Sequence, residues 1–264
     1  MNEALEAARV FLSLSLLFYA SWSDWKKREV SNWVWVIFAP SAFALTTIQY
    51  VLFASYVLRF YVFSILFTSA LSVILFYAGA FGGADAKALI CLSLALPSYP
   101  MYLFKSQMVF VSPLFPLTIF SNAVLLAALS VFYSLLRNSL WKLKSGRKLF
   151  EGFEKEAKWR KILAFISGYK VDVAKLEKSG HLYPLEDVSE REDGESERKL
   201  LTMPKDEKRD EIVERVEKAF KEGKLQGEVW ATPGLPLLVF ITAGLIVALI
   251  YGDIVWTVLR SFFA

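Results

Sequence analysis

A membrane all-α fold is what this sequence predicts: a six-transmembrane-helix bundle with a small α+β cytoplasmic insert between helices 5 and 6. Three observations lead there. The 264 residues are 55% hydrophobic and include 22 Phe, 11 Tyr and 8 Trp. The charges are segregated, since residues 137–228 hold 22 Lys/Arg and 20 Asp/Glu and the rest of the chain only 8 and 6. Apolar runs close to the ~20 residues that cross a hydrocarbon core recur outside that charged block. The division gives 1–136 as helices 1–5, 137–230 as a soluble insert and 231–264 as helix 6.

The first span covers residues 4–22, apolar apart from Glu6 and Arg9, and ends in Trp22, Asp24, Trp25 and the basic run Lys26-Lys27-Arg28. No basic stretch and small-residue cleavage site marks it as a removed signal, so it reads as a retained span. Residues 33–50 form a second span interrupted by Pro40, and residues 56–78 a third. Residues 85–104 are a short fourth segment, with Pro97 and Pro100 towards its far end. Residues 108–136 are a fifth, kinked or started late by Pro113 and Pro116. The sixth runs over residues 235–250, extending towards Phe263.

Within the insert, residues 149–166 place Phe153, Trp159, Ile162 and Phe165 at helical spacing, and residues 168–176 alternate as a strand does. Residues 186–199 are charged enough for a mobile linker. Residues 204–225 form a helix with Ile212, Val213, Val216 and Phe220 on one face. The insert reads as an anchoring or docking region; it shows no repeat and no phosphate-binding loop.

The net charge of +4 is no nucleic-acid signature, because the basic excess lies near membrane ends and sets orientation. With the N-terminus outside, the inner connections carry Lys26, Lys27, Arg28, Lys87, Arg137, Lys142, Lys144, Arg147 and Lys148. The outer ones carry only Arg59 and Lys105. Asp24 and Asp85 then share the cytoplasmic face, and Asp253 lies on the other. Cys91 is the sole cysteine, which leaves no disulfide or cysteine zinc cluster within one chain. No metal cluster or cofactor motif is visible, and His181, the single histidine, reads as structural.

The chemistry concentrates in residues 79–89, where Gly79, Gly82 and Gly83 precede Asp85 between two apolar segments. An ionisable group in such a place is expensive and suggests function. Asp85 also suits a helix N-cap. Asp24 follows a helix, where a carboxylate meets the unfavourable end of the dipole, although pairing with Lys27 or Arg28 accounts for it as an interfacial charge. Two acids on one face of a bundle so poor in acids point to a proton-sharing dyad, and hence to an intramembrane aspartyl peptidase. Two other classes remain open. A proton- or cation-coupled transporter would use the same acids, though usually near the midplane of internal repeats. A scaffold acting through the insert would need neither.

Asp24 with Arg28-Glu29-Val30, and Gly82-Gly83-Ala84-Asp85 with Lys87, resemble the GxGD-type prepilin peptidases, most closely their archaeal preflagellin branch. Residues 228–236, entering the last span, also resemble that branch. The resemblance implies that Asp24 and Asp85 are the catalytic pair. It also implies that the substrates are preflagellin (archaellin) or type IV pilin-like precursors, cut behind a short basic leader at the cytoplasmic membrane face. Ala84 departs from the motif, which has glycine there, and is tolerable unless φ > 0 is required. Arg28 and Lys87 are candidates for orienting carboxylates or anchoring helix ends. Pro233 and Pro236 resemble a proline motif of presenilin-like proteases and are candidates for substrate docking; proline also starts helices. The paired cysteines of bacterial enzymes that methylate their products are absent, so methylation is not expected.

Overall fold

The computed structural model describes residues 1–104, 110–190, 196–201, 209–225, 227–234 and 236–263. It divides into two compact units, Met1–Ala128 with Pro236–Ala264, and Leu129–Leu235.

The first unit holds α1 (Asn2–Lys27), α2 (Asn32–Phe53), α3 (Leu58–Tyr77), α4 (Gly83–Ala95), α5 (Phe115–Ala128), α10 (Leu237–Tyr251) and α11 (Ile254–Phe263). Its polarity is inverted relative to a water-soluble bundle. On α3, Ser64, Thr68 and Ser72 face inward at i, i+4 and i+8, while Phe63, Leu66 and Ile74 are exposed. Small polar residues between helices and large apolar ones outside suit lipid as the solvent. Asn2–Lys27, Asn32–Phe53, Ser55–Tyr77 and Phe115–Ser145 are long and apolar enough to cross a membrane. The pair Leu237–Tyr251 and Ile254–Phe262, bent by 57°, would make a fifth span.

The expected fourth span departs from this pattern. α4 stops at Ala95, short of Pro97, and its 13 residues reach only ~20 Å. A helix ending at that depth exposes its last carbonyls, and side chains from three neighbours take them up. Tyr61 donates to Leu94 O, while Arg9 Nη1 (3.1 Å) and Thr46 Oγ1 (3.2 Å) donate to Ala95 O. Arg9 is 2% exposed and pairs at 3.7 Å with Glu6, whose carboxylate also accepts the Leu103 N–H. The two charges in the first span are thus the cap of a broken helix. Pro40, expected to interrupt helix 2, lies inside a continuous α2. Pro116 sits in the first turn of α5, where its missing N–H costs nothing. α10 lies directly on α5: a methyl added at Gly244 would come within 2.6 Å of Ile119 O. Asp253 accepts the Trp256 N–H at the start of α11, the part of a capping residue.

The second unit begins with α6 (Ser130–Ser145) and α7 (Lys158–Ser167). It continues through β1 (Tyr169–Asp172), α8 (Val173–Lys178), β2 (Leu182–Pro184), β3 (Glu186–Glu190), β4 (Ser196–Leu200), α9 (Arg209–Lys221) and β5 (Glu228–Pro233). β5 is the centre of an antiparallel sheet ordered β1-β5-β2, with Tyr169 opposite Ala231 and Leu182 opposite Pro233. The predicted strand over residues 168–176 is half right. Asp172 ends it and leads into α8, which buries Val173 and Leu176 at helical i, i+3 spacing. The described parts of the predicted linker over residues 186–199 instead form an antiparallel pair of strands, β3 with β4, Val188 opposite Arg198, and its residues 191–195 lie outside the described residues. Charge concealed the pairing. Glu186, fully buried, accepts from Arg198 Nη2 at 2.8 Å and from the Trp230 N–H, and Asp187 takes a two-pronged bond from Arg215 of α9. Part of the predicted 204–225 helix and the start of the predicted fifth span lie outside the described residues.

Candidate active site

Asp24 stands one turn before the end of α1, half-buried, on a stretch whose tryptophans face outward. Lys26 covers the Trp22 ring at 4.3 Å. The helix ends because Arg28 takes a left-handed conformation (φ 57°), its N–H donating to the Asp24 carbonyl at 3.0 Å. The Ser23 hydroxyl donates to Glu29 O at 2.7 Å and holds the reversal. An arginine at a position usually given to glycine strains the backbone by ~1 kcal/mol or more.

Asp85 arrives from the other side of the same end. Gly79 (φ 75°) turns the chain out of α3, with Ala80 and Phe81 N–H groups closing on Leu75 O. Phe81 anchors the loop by inserting edge-on against Phe120, 5.4 Å between ring centres. Gly82 is extended (φ −73°, ψ 160°), and its N–H donates to Asp85 Oδ2 at 3.0 Å. This is the reciprocal half of a capping box; glycine has no side chain to supply the other half. A methyl at Gly82 would sit 3.1 Å from that same carboxylate oxygen, whereas one at Gly83 would meet only the Phe76 ring at 3.7 Å. Ala84 lies in the first turn of α4, and among non-glycine residues described only Arg28 has φ > 0. The methyl that departs from the motif therefore imposes no backbone strain.

The structure brings the two acids together. The charges of Asp24 and Arg28 both act on the Asp85 carboxyl, although 61 positions separate Asp24 from Asp85 in the chain. Lys87 does not join them: its Nζ donates to Asn32 Oδ1 at 2.7 Å and ties the start of α4 to the start of α2. Asn32 carried no sequence signal; only the packing of two helix starts reveals it. The start of α10 belongs to the same end, because the Ser21 hydroxyl donates to Leu238 O and lies 2.7 Å from the Thr242 hydroxyl. Pro236, the residue before α10, is thereby close to the acids' end of this unit. Pro233 closes β5 opposite Leu182 in the second unit. Asp24 lies within electrostatic reach of the Asp85 carboxyl, and two carboxylates brought close enough to share a proton act one as base and the other as acid. Among the described residues no three His, Cys, Asp or Glu side chains converge as metal ligands do.

Comparison with known proteins gives the family. Residues 11–136 match the model of the type IV leader peptidase family, and residues 160–254 match a model described as archaeal peptidase A24 C-terminus, type II. The chain is 26% identical over 251 residues to a preflagellin peptidase of Methanococcus maripaludis, covering 90% of this chain and 92% of that one. It is 27% identical over 244 residues to a preflagellin peptidase of Methanococcus voltae, with the same coverage.

Proposed function

The chain belongs to the type IV leader peptidase family, and from that premise we propose that it is an aspartyl endopeptidase built on Asp24 and Asp85. It is a multi-pass membrane protein that removes leader peptides, and its substrates are preflagellin or type IV pilin-like precursors. The relatives and family models are peptidases, and nothing in them favours a transporter.

One observation supports the catalytic assignment: the charge of Asp24 bears on the Asp85 carboxyl across 61 positions of chain, at an end where α1, α2, α4 and α10 all terminate. In the reaction, one carboxylate takes a proton from water as its oxygen attacks the scissile carbonyl. The other, protonated, donates to the carbonyl oxygen. As the tetrahedral intermediate collapses and the C–N bond breaks, the proton passes to the departing amine. Gly82 holds the Asp85 carboxylate by its N–H, leaving the second oxygen for water or substrate. Arg28 offsets the charge of the pair, and Lys87 positions α4 against α2.

The finer topology belongs to the same proposal. α4 acts as a sixth, short segment entering the bundle from the face that carries the acids. The biased basic residues put that face, and the insert between helices 5 and 6, in the cytoplasm. The precursor's basic leader then stays at the surface while its apolar segment lies in the membrane, near Pro236. No methylation step is assigned to this chain.

The test is cleavage of a purified preflagellin precursor by the detergent-solubilised protein beside Asp24→Asn and Asp85→Asn. Both variants should lose processing while keeping the wild-type unfolding temperature. Normal cleavage by either removes that residue from the mechanism. In the same assay Pro236→Ala should raise KM, and an unchanged KM removes it from substrate docking.

A further inference from the structure

Helix α7 shows a feature that proteolysis does not use. Trp159, Ile162, Leu163 and Ile166 recur at i, i+3, i+4 and i+7, covering an arc of ~100° on one side. Trp159 is 53% exposed, Ile162 60% and Leu163 38%. The opposite side is the one the second unit consumes: Ala164 is buried and Phe165 packs with Phe153 and Trp230. A helix that already buries one face thus carries a second apolar face that the described residues leave largely exposed.

Its charges are all of one sign. α7 contains Lys158, Arg160 and Lys161 and no acid. Lys158 and Arg160 border the stripe on either side at helical spacing. Arg160 also lies over the Trp159 ring, 5.4 Å from its centre. Arg160 also pairs with Glu156 at 3.4 Å, outside the helix. Exposed Trp and Ile flanked by cations are the composition of a helix lying in a membrane interface, its apolar side among acyl chains and its cations among anionic headgroups. The unit is joined through α6 and through the residues before Pro236 to strongly apolar segments, so a bilayer is always within tether range.

We propose that α7 is an interfacial helix that lays its Trp159–Ile162–Leu163–Ile166 stripe on an anionic lipid surface. This contact restrains the second unit independently of the spans, and it stands or falls apart from the peptidase assignment.

The test uses the full chain with Cys91→Ala and Ile162→Cys. Cys91, the sole cysteine, is only 2% exposed, so a nitroxide reports position 162 alone. The labelled protein is reconstituted in vesicles of phosphatidylcholine with phosphatidylglycerol, and in phosphatidylcholine alone. The expected result is collision with oxygen several-fold greater than with a water-soluble nickel complex in the anionic vesicles. That ratio should fall towards the water-exposed value in phosphatidylcholine alone, and in anionic vesicles when Lys158→Glu and Lys161→Glu are added. Dominant collision with nickel in anionic vesicles would overturn the proposal. So would low collision with both reagents, the mark of a protein partner over the stripe, or a ratio indifferent to lipid charge.

Discussion

Gly82→Ala is the change that most directly tests how Asp85 is held. The extended backbone at this position (φ −73°, ψ 160°) suits alanine as well as glycine, so the substitution carries no conformational penalty. Its whole effect is the new methyl, 3.1 Å from Asp85 Oδ2. Carbon and oxygen rest comfortably a few tenths of an ångström further apart. To make that room the carboxylate must swing away from the Gly82 N–H, stretching a bond that is now 3.0 Å. A hydrogen bond to a charged group is worth ~1.5–3 kcal/mol. If the loss falls on the transition state, kcat drops by about ten- to a hundredfold. Gly83→Ala supplies the contrast. Its methyl meets only an aromatic carbon at 3.7 Å, and alanine gains ~1 kcal/mol over glycine inside a helix. Precursor cleavage and thermal unfolding of both variants, measured together in detergent, make the comparison. The expected outcome is impaired turnover with near-normal unfolding for Gly82→Ala, and normal turnover for Gly83→Ala. Full turnover by Gly82→Ala, or equal damage from both, would refute the account of how the carboxylate is oriented.

Two further changes probe the rest of the frame. Arg9→Met strands Glu6 as a buried charge and leaves Ala95 O with Thr46 alone, so stability should fall by about 3–5 kcal/mol; adding Glu6→Gln should recover a large part of it, and an unfolding temperature unmoved by Arg9→Met would count against the capping role. In the second unit, burial pushes the Lys170 ammonium down to about 8, with Glu186 opposing and Arg198 adding to the shift. The unfolded chain holds that proton to about pH 10.4 and the folded one releases it near 8, so this residue's penalty is full below pH 8 and lifts as pH rises through that window. The rise in unfolding temperature between pH 8 and 10 should therefore flatten in Lys170→Met, and an identical slope in both proteins would sink the assignment.

Much of the membrane unit was legible because apolar length and charge placement answer to the solvent. Helices 1, 2 and 3 needed only that information, and the two acids stood out because a lipid-facing bundle tolerates so few. The departures have physical causes. The short fourth segment was carried on to residue 104, past Pro97 and Pro100, while the chain stops the helix before the first of them. Arg9 looked like a charge tolerated near a span terminus, and its use as a cap depends on a carbonyl 86 residues away. The β3–β4 pair was hidden because Glu186, Arg198 and Asp187 meet partners across strands and from α9, so residues that looked solvated are structural. Lys87 was seen as a possible partner for a carboxylate, whereas its distance to Asn32 depends on how two helices meet.

The position of β5 bears on the order in which the protein can be assembled. β1 and β2 are synthesised well before residues 228–233, yet both pair with β5 and not with each other. α10, which lies on α5 and offers its Leu238 carbonyl to Ser21, is synthesised directly after. During synthesis each unit therefore waits for the same late segment, the sheet for its middle strand and the helical bundle for its closing helix. A ribosome stalled before residue 228 would hold two unfinished bodies at once, and a single passage of chain completes both.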